Sequence, residues 1–228
     1  MTAGDDFNGN VLIWDWNGTL MDDAWLCIHS LNTLLAERGL PLETFEQYRQ
    51  RFRFPVKGYY EELGFDFSCD DMEQISIRYI NTYNDRRFEC ALQAESLATL
   101  AEFQRAGWQQ AILSAYRQDM LRETVHRYEL ANYFEAIRGL DNLQALGKAS
   151  LGCALLAEQG WVCDKVVLVG DTSHDYEVAQ AMGVRCVLVS HGHYDHARLV
   201  ALGVPVYASF CDLRRALLSN SPEKNKGR

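Results

Sequence analysis

No pair among the seven cysteines, at positions 27, 69, 90, 153, 163, 186 and 211, is spaced C-x-x-C, and their number is odd. Disulfide frameworks and cysteine-cage metal sites rely on such pairs, so the seven read as reduced thiols, most of them inside apolar stretches. Basic residues are scarce as well: 22 Lys and Arg face 31 Asp and Glu, a formal net charge of -9. Nucleic-acid binding needs clustered Lys and Arg that displace counterions, so this balance argues against a polyanion as the main partner. Only "PEKNKGR" at the C-terminus is locally basic, and a short polar run at a chain end is usually a frayed tail. No apolar run reaches membrane-spanning length, and "MTAGDDFNGN" has neither a basic n-region nor an apolar h-region. The expected compartment is the cytoplasm, with no membrane partner. No internal repeat or low-complexity segment is visible.

What is present is an ordinary globular balance, 48% apolar and 23% charged residues in a chain of 228, enough for one ample core plus a small accessory domain. Short apolar runs alternate with stretches of helical period, the pattern of a parallel sheet wrapped by helices. Strands are expected at 10–15, 108–114, 165–170, 184–189 and 204–207, and helices at 94–106, 117–129, 147–159, 173–182 and 195–202. Most of these helices stop at a glycine, the residue that accepts a left-handed backbone at no steric cost. The interval 22–91 differs: it has helical period, no convincing strand, and the aromatic-rich middle "FRFPVKGYYEELGFDF". The fold class expected is α/β, a Rossmann-like parallel sheet core flanked by helices (1–21 and 92–228) with an inserted α-helical cap (22–91). Linkers are expected near 20–23 and 88–93.

In an open parallel sheet, ligands bind beyond the carboxyl ends of the strands. "NVLIWD" is a buried strand that ends in Asp15, the second strand ends at Ser114, and Asp171 follows directly after a third. Lys148 opens the helix before that third strand, and Asp175 lies four residues after Asp171. A lysine there is unfavourable against the helix dipole, which hints at an anionic neighbour, whereas Asp175 suits its first turn on dipole grounds alone. A nucleophile-grade carboxylate, a hydroxyl, an ammonium and an acidic cluster are what phosphoryl transfer uses, with a divalent cation offsetting the charge between carboxylate and phosphate. Oxygen-only ligands suit Mg2+. Backbone N–H groups after Asp15, freed by Gly18, could form a small anion nest.

"DWNGTL" with Ser114, Lys148 and "GDTSHD" (170–175) resembles the four ordered motifs of the haloacid dehalogenase-like superfamily, in its phosphoglycolate phosphatase-like branch. The resemblance implies a cytoplasmic Mg2+-dependent phosphatase of a small phosphorylated metabolite, a monomer or homodimer. Asp15 would form an aspartyl-phosphate, with Ser114 and Lys148 holding the phosphoryl group and Gly18, Thr19 and Ala115 contacting the substrate. Asp171 would bind Mg2+ together with Asp15 and the main-chain carbonyl of Asn17, and Asp175 would complete the metal site or lie just outside its direct ligands.

Position 17 departs from the pattern. The family's phosphatases carry aspartate there, to protonate the leaving oxygen and later activate water. The amide of Asn17 does neither, and general acid-base help is worth roughly 10^2 to 10^4 in rate. Four readings fit: a slow phosphatase or one that takes good leaving groups such as acyl phosphates; an engineered trap; an Asn-Gly pair that deamidates back to an acid; or a different reaction. The last would resemble phosphonoacetaldehyde hydrolases, which begin "DWAGT" and use a cap lysine as a Schiff base; Lys57 is the only lysine before Lys148. A catalytically impaired protein that binds phosphate and metal is the alternative outside enzymology. "HGHYDH" (191–196) matches a zinc pattern, but no histidine follows His196, so it reads as a strand-to-helix loop near the active edge. Arg53, in the basic-aromatic stretch, is a candidate substrate contact.

Overall fold

The computed structural model describes residues 9–141 and 147–219. The first eight residues and the basic run at 222–228 lie outside them. In chain order the elements are β1 (Val11–Trp14), β2 (Met21–Asp22), α1 (Ala24–Glu37), α2 (Phe45–Arg51), α3 (Val56–Glu62), α4 (Met72–Arg86), β3 (Ala91–Leu92), α5 (Ser96–Arg105) and β4 (Gln109–Arg117). They continue with α6 (Gln118–Arg127), β5 (Ala136–Leu140), α7 (Lys148–Gln159), β6 (Val166–Gly170), α8 (Ser173–Met182), β7 (Arg185–Val189), α9 (His196–Val200), β8 (Val206–Tyr207) and α10 (Phe210–Ser219).

Six strands form a parallel sheet in the order β5-β4-β1-β6-β7-β8. β1 is buried on both faces because its side chains alternate between two cores. Leu12 and Trp14 enter the cluster that holds Phe103, Leu121 and Phe210, while Val11 and Ile13 join Leu155, Leu168 and Val178. Trp14 is wedged edge-on between Phe103 and Phe210, at centroid distances of 6.1 and 5.8 Å. Its indole N–H donates to Gln110 Oε1 at 3.0 Å, which satisfies the one polar atom this burial would strand.

The chain leaves β1 for the insertion, returns to β4 on one side of β1, and later adds β6 on the other. That reversal makes the carboxyl end of β1 a topological switch point, where open sheets bind ligands. Between β2 and β3 every named element is helical. The two short strands pair antiparallel, Met21 with Leu92 and Asp22 with Ala91, so both chain crossings lie side by side.

Besides the short β2 and β3, which fall where linkers were expected, two elements have no counterpart in the sequence reading. β5 pairs parallel with β4, yet Arg138 and Gly139 interrupt its apolar run. α10 buries Phe210, Leu213 and Leu217 on one face.

Candidate active site

Asp15 is the first residue past β1, tethered by its N–H to Val169 O at 2.9 Å. Lys148 begins α7 and extends to this carboxylate: its ammonium donates to Asp15 Oδ1 and to Asp175 Oδ1, both at 2.6 Å. All three side chains are buried. Asp175 Oδ2 accepts from the N–H groups of Asp171 and Thr172 and from the Thr172 hydroxyl, at 3.2, 3.1 and 2.8 Å. Both of its oxygens are thus engaged. Asp15 Oδ2, by contrast, has no hydrogen bond among the described residues and lies at a cavity of about 610 Å3.

Ser114 and Ala115 line the same cavity. They sit where the β4–β5 register shifts between Leu113 and Arg117, an irregularity of the kind that re-aims side chains beside active sites. Ser114 Oγ accepts the Tyr116 N–H at 3.1 Å.

The charges explain one another. Burial raises the Asp15 pKa, Lys148 opposes it, and the neighbouring Asp175 and Asp171 push it further, to about 7. Asp171 is likewise raised by burial, to about 6. Asp175 is lowered: burial works against its charge, but Lys148 outweighs it. Lys148 is raised, because its two carboxylates outweigh the cost of burial. The ligand oxygens of Asp15, Asp171 and Asp175 all lie within 4.8 Å of one another. Three buried carboxylates, two of them sharing the Lys148 ammonium and two of them reluctant to ionise, fit a hard divalent cation held by oxygen.

A family model described as haloacid dehalogenase-like hydrolase matches residues 12–189. The chain belongs to the haloacid dehalogenase-like hydrolase family. A protein of Caulobacter vibrioides named phosphoglycolate phosphatase is 27% identical over 237 residues, covering 100% of both chains. Among solved structures, a predicted phosphatase from Clostridium acetobutylicum superposes with a TM-score of 0.75 at 20% identity, covering 92% of this chain and 99% of its own. Protein Tyrosine Kinase A of Mycobacterium tuberculosis superposes with a TM-score of 0.76 at 24% identity, covering 94% and 99%. At these identities the structures speak to fold alone.

Within this haloacid dehalogenase-like hydrolase, Asn17 is clamped rather than free. Its amide N–H donates to Asp23 Oδ2 at 2.7 Å and to the Tyr83 hydroxyl at 3.0 Å, and Tyr83 itself donates to Asp23 Oδ2 at 2.8 Å. Asp23 is fully buried. Its Oδ1 accepts the Gly18 N–H at 2.8 Å and faces His193 Nε2 at 3.6 Å. Burial works to raise the Asp23 pKa, but His193, Asn17 and Tyr83 outweigh it and lower it. Burial works to lower that of His193, and Asp23, with the charges of Asp171 and Asp15, raises it to about 9. The loop after β1, α4 and the loop after β7 therefore meet at one carboxylate, that of Asp23 between β2 and α1.

Three expected substrate contacts have other partners in this arrangement. The Gly18 N–H is shared between Asp23 and Met21 O, so it is not available to an anion. Gly18 serves instead as a close-approach position: its φ is +77°, and a Cβ there would sit 2.4 Å from Asp171 Oδ2. Thr19 is buried behind the site and donates its hydroxyl to Asp171 Oδ1 at 2.7 Å. Arg53 lies on the outside of the insertion, held by Glu62 and, at 3.1 Å, by Gly58 O. Among the described residues the main-chain N–H groups of Trp16 and Asn17 have no hydrogen-bond partner.

Lys57 is also elsewhere, exposed and 3.9 Å from Glu61, so the Schiff-base reading loses its lysine. The histidines of "HGHYDH" point to separate partners: His191 Nε2 to Thr19 O at 3.0 Å, His193 Nδ1 to the Tyr48 hydroxyl at 3.0 Å, His196 Nδ1 to Ser190 Oγ at 3.2 Å. They do not converge on one ion. Asp23, Tyr83 and Tyr48 carry no signal of their own in the sequence; the acidic pair in "MDDAW" does not distinguish Asp23 from Asp22.

Proposed function

We propose that this hydrolase is a Mg2+-dependent phosphatase of a small phosphorylated metabolite, acting through an aspartyl-phosphate on Asp15. The observation that carries the reading is the free Oδ2 of Asp15, a residue that lines the cavity while Lys148 fixes its Oδ1 at 2.6 Å. The names of relatives, phosphoglycolate phosphatase in Caulobacter vibrioides and in several pseudomonads, support the reaction class.

Asp15 attacks phosphorus with Oδ2. Lys148 keeps the carboxylate oriented and neutralises part of the charge of the site, and Ser114 with the Trp16 and Asn17 N–H groups receives the phosphoryl oxygens. Asp15, Asp171 and the Asn17 carbonyl would hold Mg2+, and Asp175, which accepts from Lys148 and from the N–H groups of Asp171 and Thr172, positions Lys148 and the start of α8. Bound Mg2+ supplies the positive charge that lets a carboxylate approach a phosphate dianion. Asn17 donates to Asp23 and Tyr83 and relays no proton, so monoesters with poor leaving groups turn over slowly. That same feature favours a second reading, binding of phosphate and Mg2+ without turnover.

Phosphate release from a panel of phosphorylated metabolites, with Mg2+ and with EDTA, tests the proposal. Turnover that needs Mg2+ and is lost in both Asp15→Asn and Asp171→Asn supports it. Binding of Mg2+ and phosphate without turnover of any monoester or acyl phosphate would favour the second reading.

A further inference from the structure

The cavity beyond Asp15 is aromatic. Of the side chains that enclose its roughly 610 Å3, eight are Phe or Tyr, Phe52, Phe54, Tyr59 and Tyr79 among them. Two large apolar groups in the lining, Phe54 and Ile80, remain 45% and 49% exposed. A small anionic leaving group would leave most of this volume and these apolar faces unfilled.

The cations of the lining are already engaged. Lys148 is shared by Asp15 and Asp175. Arg117 is clasped by both oxygens of Asp119, at 2.5 and 2.7 Å. His193 lies between Asp23 and Tyr48. His174 packs against Phe54 at 5.2 Å between centroids. Among the described residues, a carboxylate on the leaving group would therefore meet no unpaired positive charge, and burying one without a partner is costly. Away from Asp15, the buried side-chain polar atoms of this lining that have no hydrogen bond are neutral: Asn84 Oδ1 and the Tyr116 hydroxyl.

We propose that the substrate is a phosphate monoester of an uncharged phenol, its ring among Phe52, Phe54, Tyr59 and Tyr79 and its phosphoryl group at Asp15. The inference rests on the phosphatase reading and narrows it. As the bond from Asp15 Oδ2 to phosphorus forms, the bond from phosphorus to the ring oxygen breaks, and its electron pair leaves as phenolate, which takes a proton from water. A water molecule then attacks phosphorus, inorganic phosphate departs, the Asp15 carboxylate is restored and the proton of the water passes to solvent. A phenol ionises near pH 10, about as tyrosine does, so its oxyanion departs without an acid at residue 17. The alkoxide of glycolate would need one.

Steady-state kinetics with Mg2+ on acetyl phosphate, 1-naphthyl phosphate and phosphoglycolate separate the two layers of the account. Acetyl phosphate has a good leaving group and no ring, so its turnover tests the phosphatase reading by itself. The inference predicts kcat/KM for 1-naphthyl phosphate at least about a hundredfold above that for phosphoglycolate, and competitive inhibition by 1-naphthol at concentrations where glycolate has no effect. Ile80→Arg, which adds a cation at a partly exposed lining position, is expected to lower the naphthyl-to-glycolate ratio at least about tenfold. Turnover of acetyl phosphate with phosphoglycolate equal to or better than the naphthyl ester overturns the inference and leaves the phosphatase reading standing. A naphthyl preference without inhibition by 1-naphthol also overturns it, since leaving-group chemistry would then account for the rate. No turnover of any of the three overturns both.

Discussion

Replacing Asn17 with aspartate puts a carboxylate where an amide now donates to Asp23 at 2.7 Å. Two like charges at that separation repel by about 6 kcal/mol at an effective dielectric constant near 20. Keeping one of them protonated at pH 7 costs less, about 4 kcal/mol against an ordinary aspartate pKa, so the pair would share a proton. The variant is therefore less stable by about 4 kcal/mol at pH 7, and by only about 1 to 2 kcal/mol at pH 5, where the proton binds at lower cost. The sign follows from a folded-state pKa raised above the unfolded value: the deficit vanishes below the unfolded pKa and grows as pH rises toward the folded one. The shared proton is also an acid beside the leaving oxygen. Turnover of an alkyl phosphate such as phosphoglycolate should rise by roughly 10^2 to 10^4, with a much smaller gain for an aryl phosphate. Urea unfolding at pH 5 and pH 7, with phosphate release on both substrates, measures all of this. An unchanged stability would refute the clamp between residue 17 and Asp23, and equal rates for variant and parent would refute the acid-base reasoning.

Lys148→Met leaves the buried carboxylates of Asp15 and Asp175 without their shared cation; a loss of about 3 to 5 kcal/mol in urea unfolding and no detectable phosphate release are expected. The His193 pKa, raised to about 9, predicts a pH-dependent contribution to stability. It is complete below about 6.5, the ordinary histidine value, is lost as pH rises through 9, and amounts to about 3 kcal/mol at most. With EDTA present, wild type should lose stability across that window relative to His193→Asn, and parallel pH curves would contradict the pairing with Asp23. Arg53→Ala removes a partly exposed ion pair with Glu62, so it should cost less than about 1 kcal/mol in unfolding and leave KM unmoved; a large rise in KM would return Arg53 to the site.

The sheet and its active edge were legible because each relevant side chain follows a short apolar run. β1, β4 and β6 announce themselves by composition, and parallel pairing brings their carboxyl ends together. Asp15, Ser114 and Asp171 then have to share one neighbourhood. β5 escaped because its evidence is pairing with β4 rather than pattern. The clamp on Asn17 was hidden for a different reason. Asp22 and Asp23 look alike in sequence, and which one is buried depends on Tyr83, sixty residues further on from Asp23, and on His193 after β7. Arg53 misled because a basic residue among aromatics suits an anion pocket and a surface equally well. Glu62, nine positions later, decides for the surface.

The central claim is that Asp15 carries the phosphoryl group. Acid quench of the enzyme during turnover of acetyl phosphate with Mg2+, borohydride reduction of the acyl phosphate and peptide mass spectrometry read it directly. The account predicts that Asp15 alone is converted to homoserine, and that Asp15→Asn shows no conversion anywhere. Reduction at another residue, or none during measurable turnover, would contradict it.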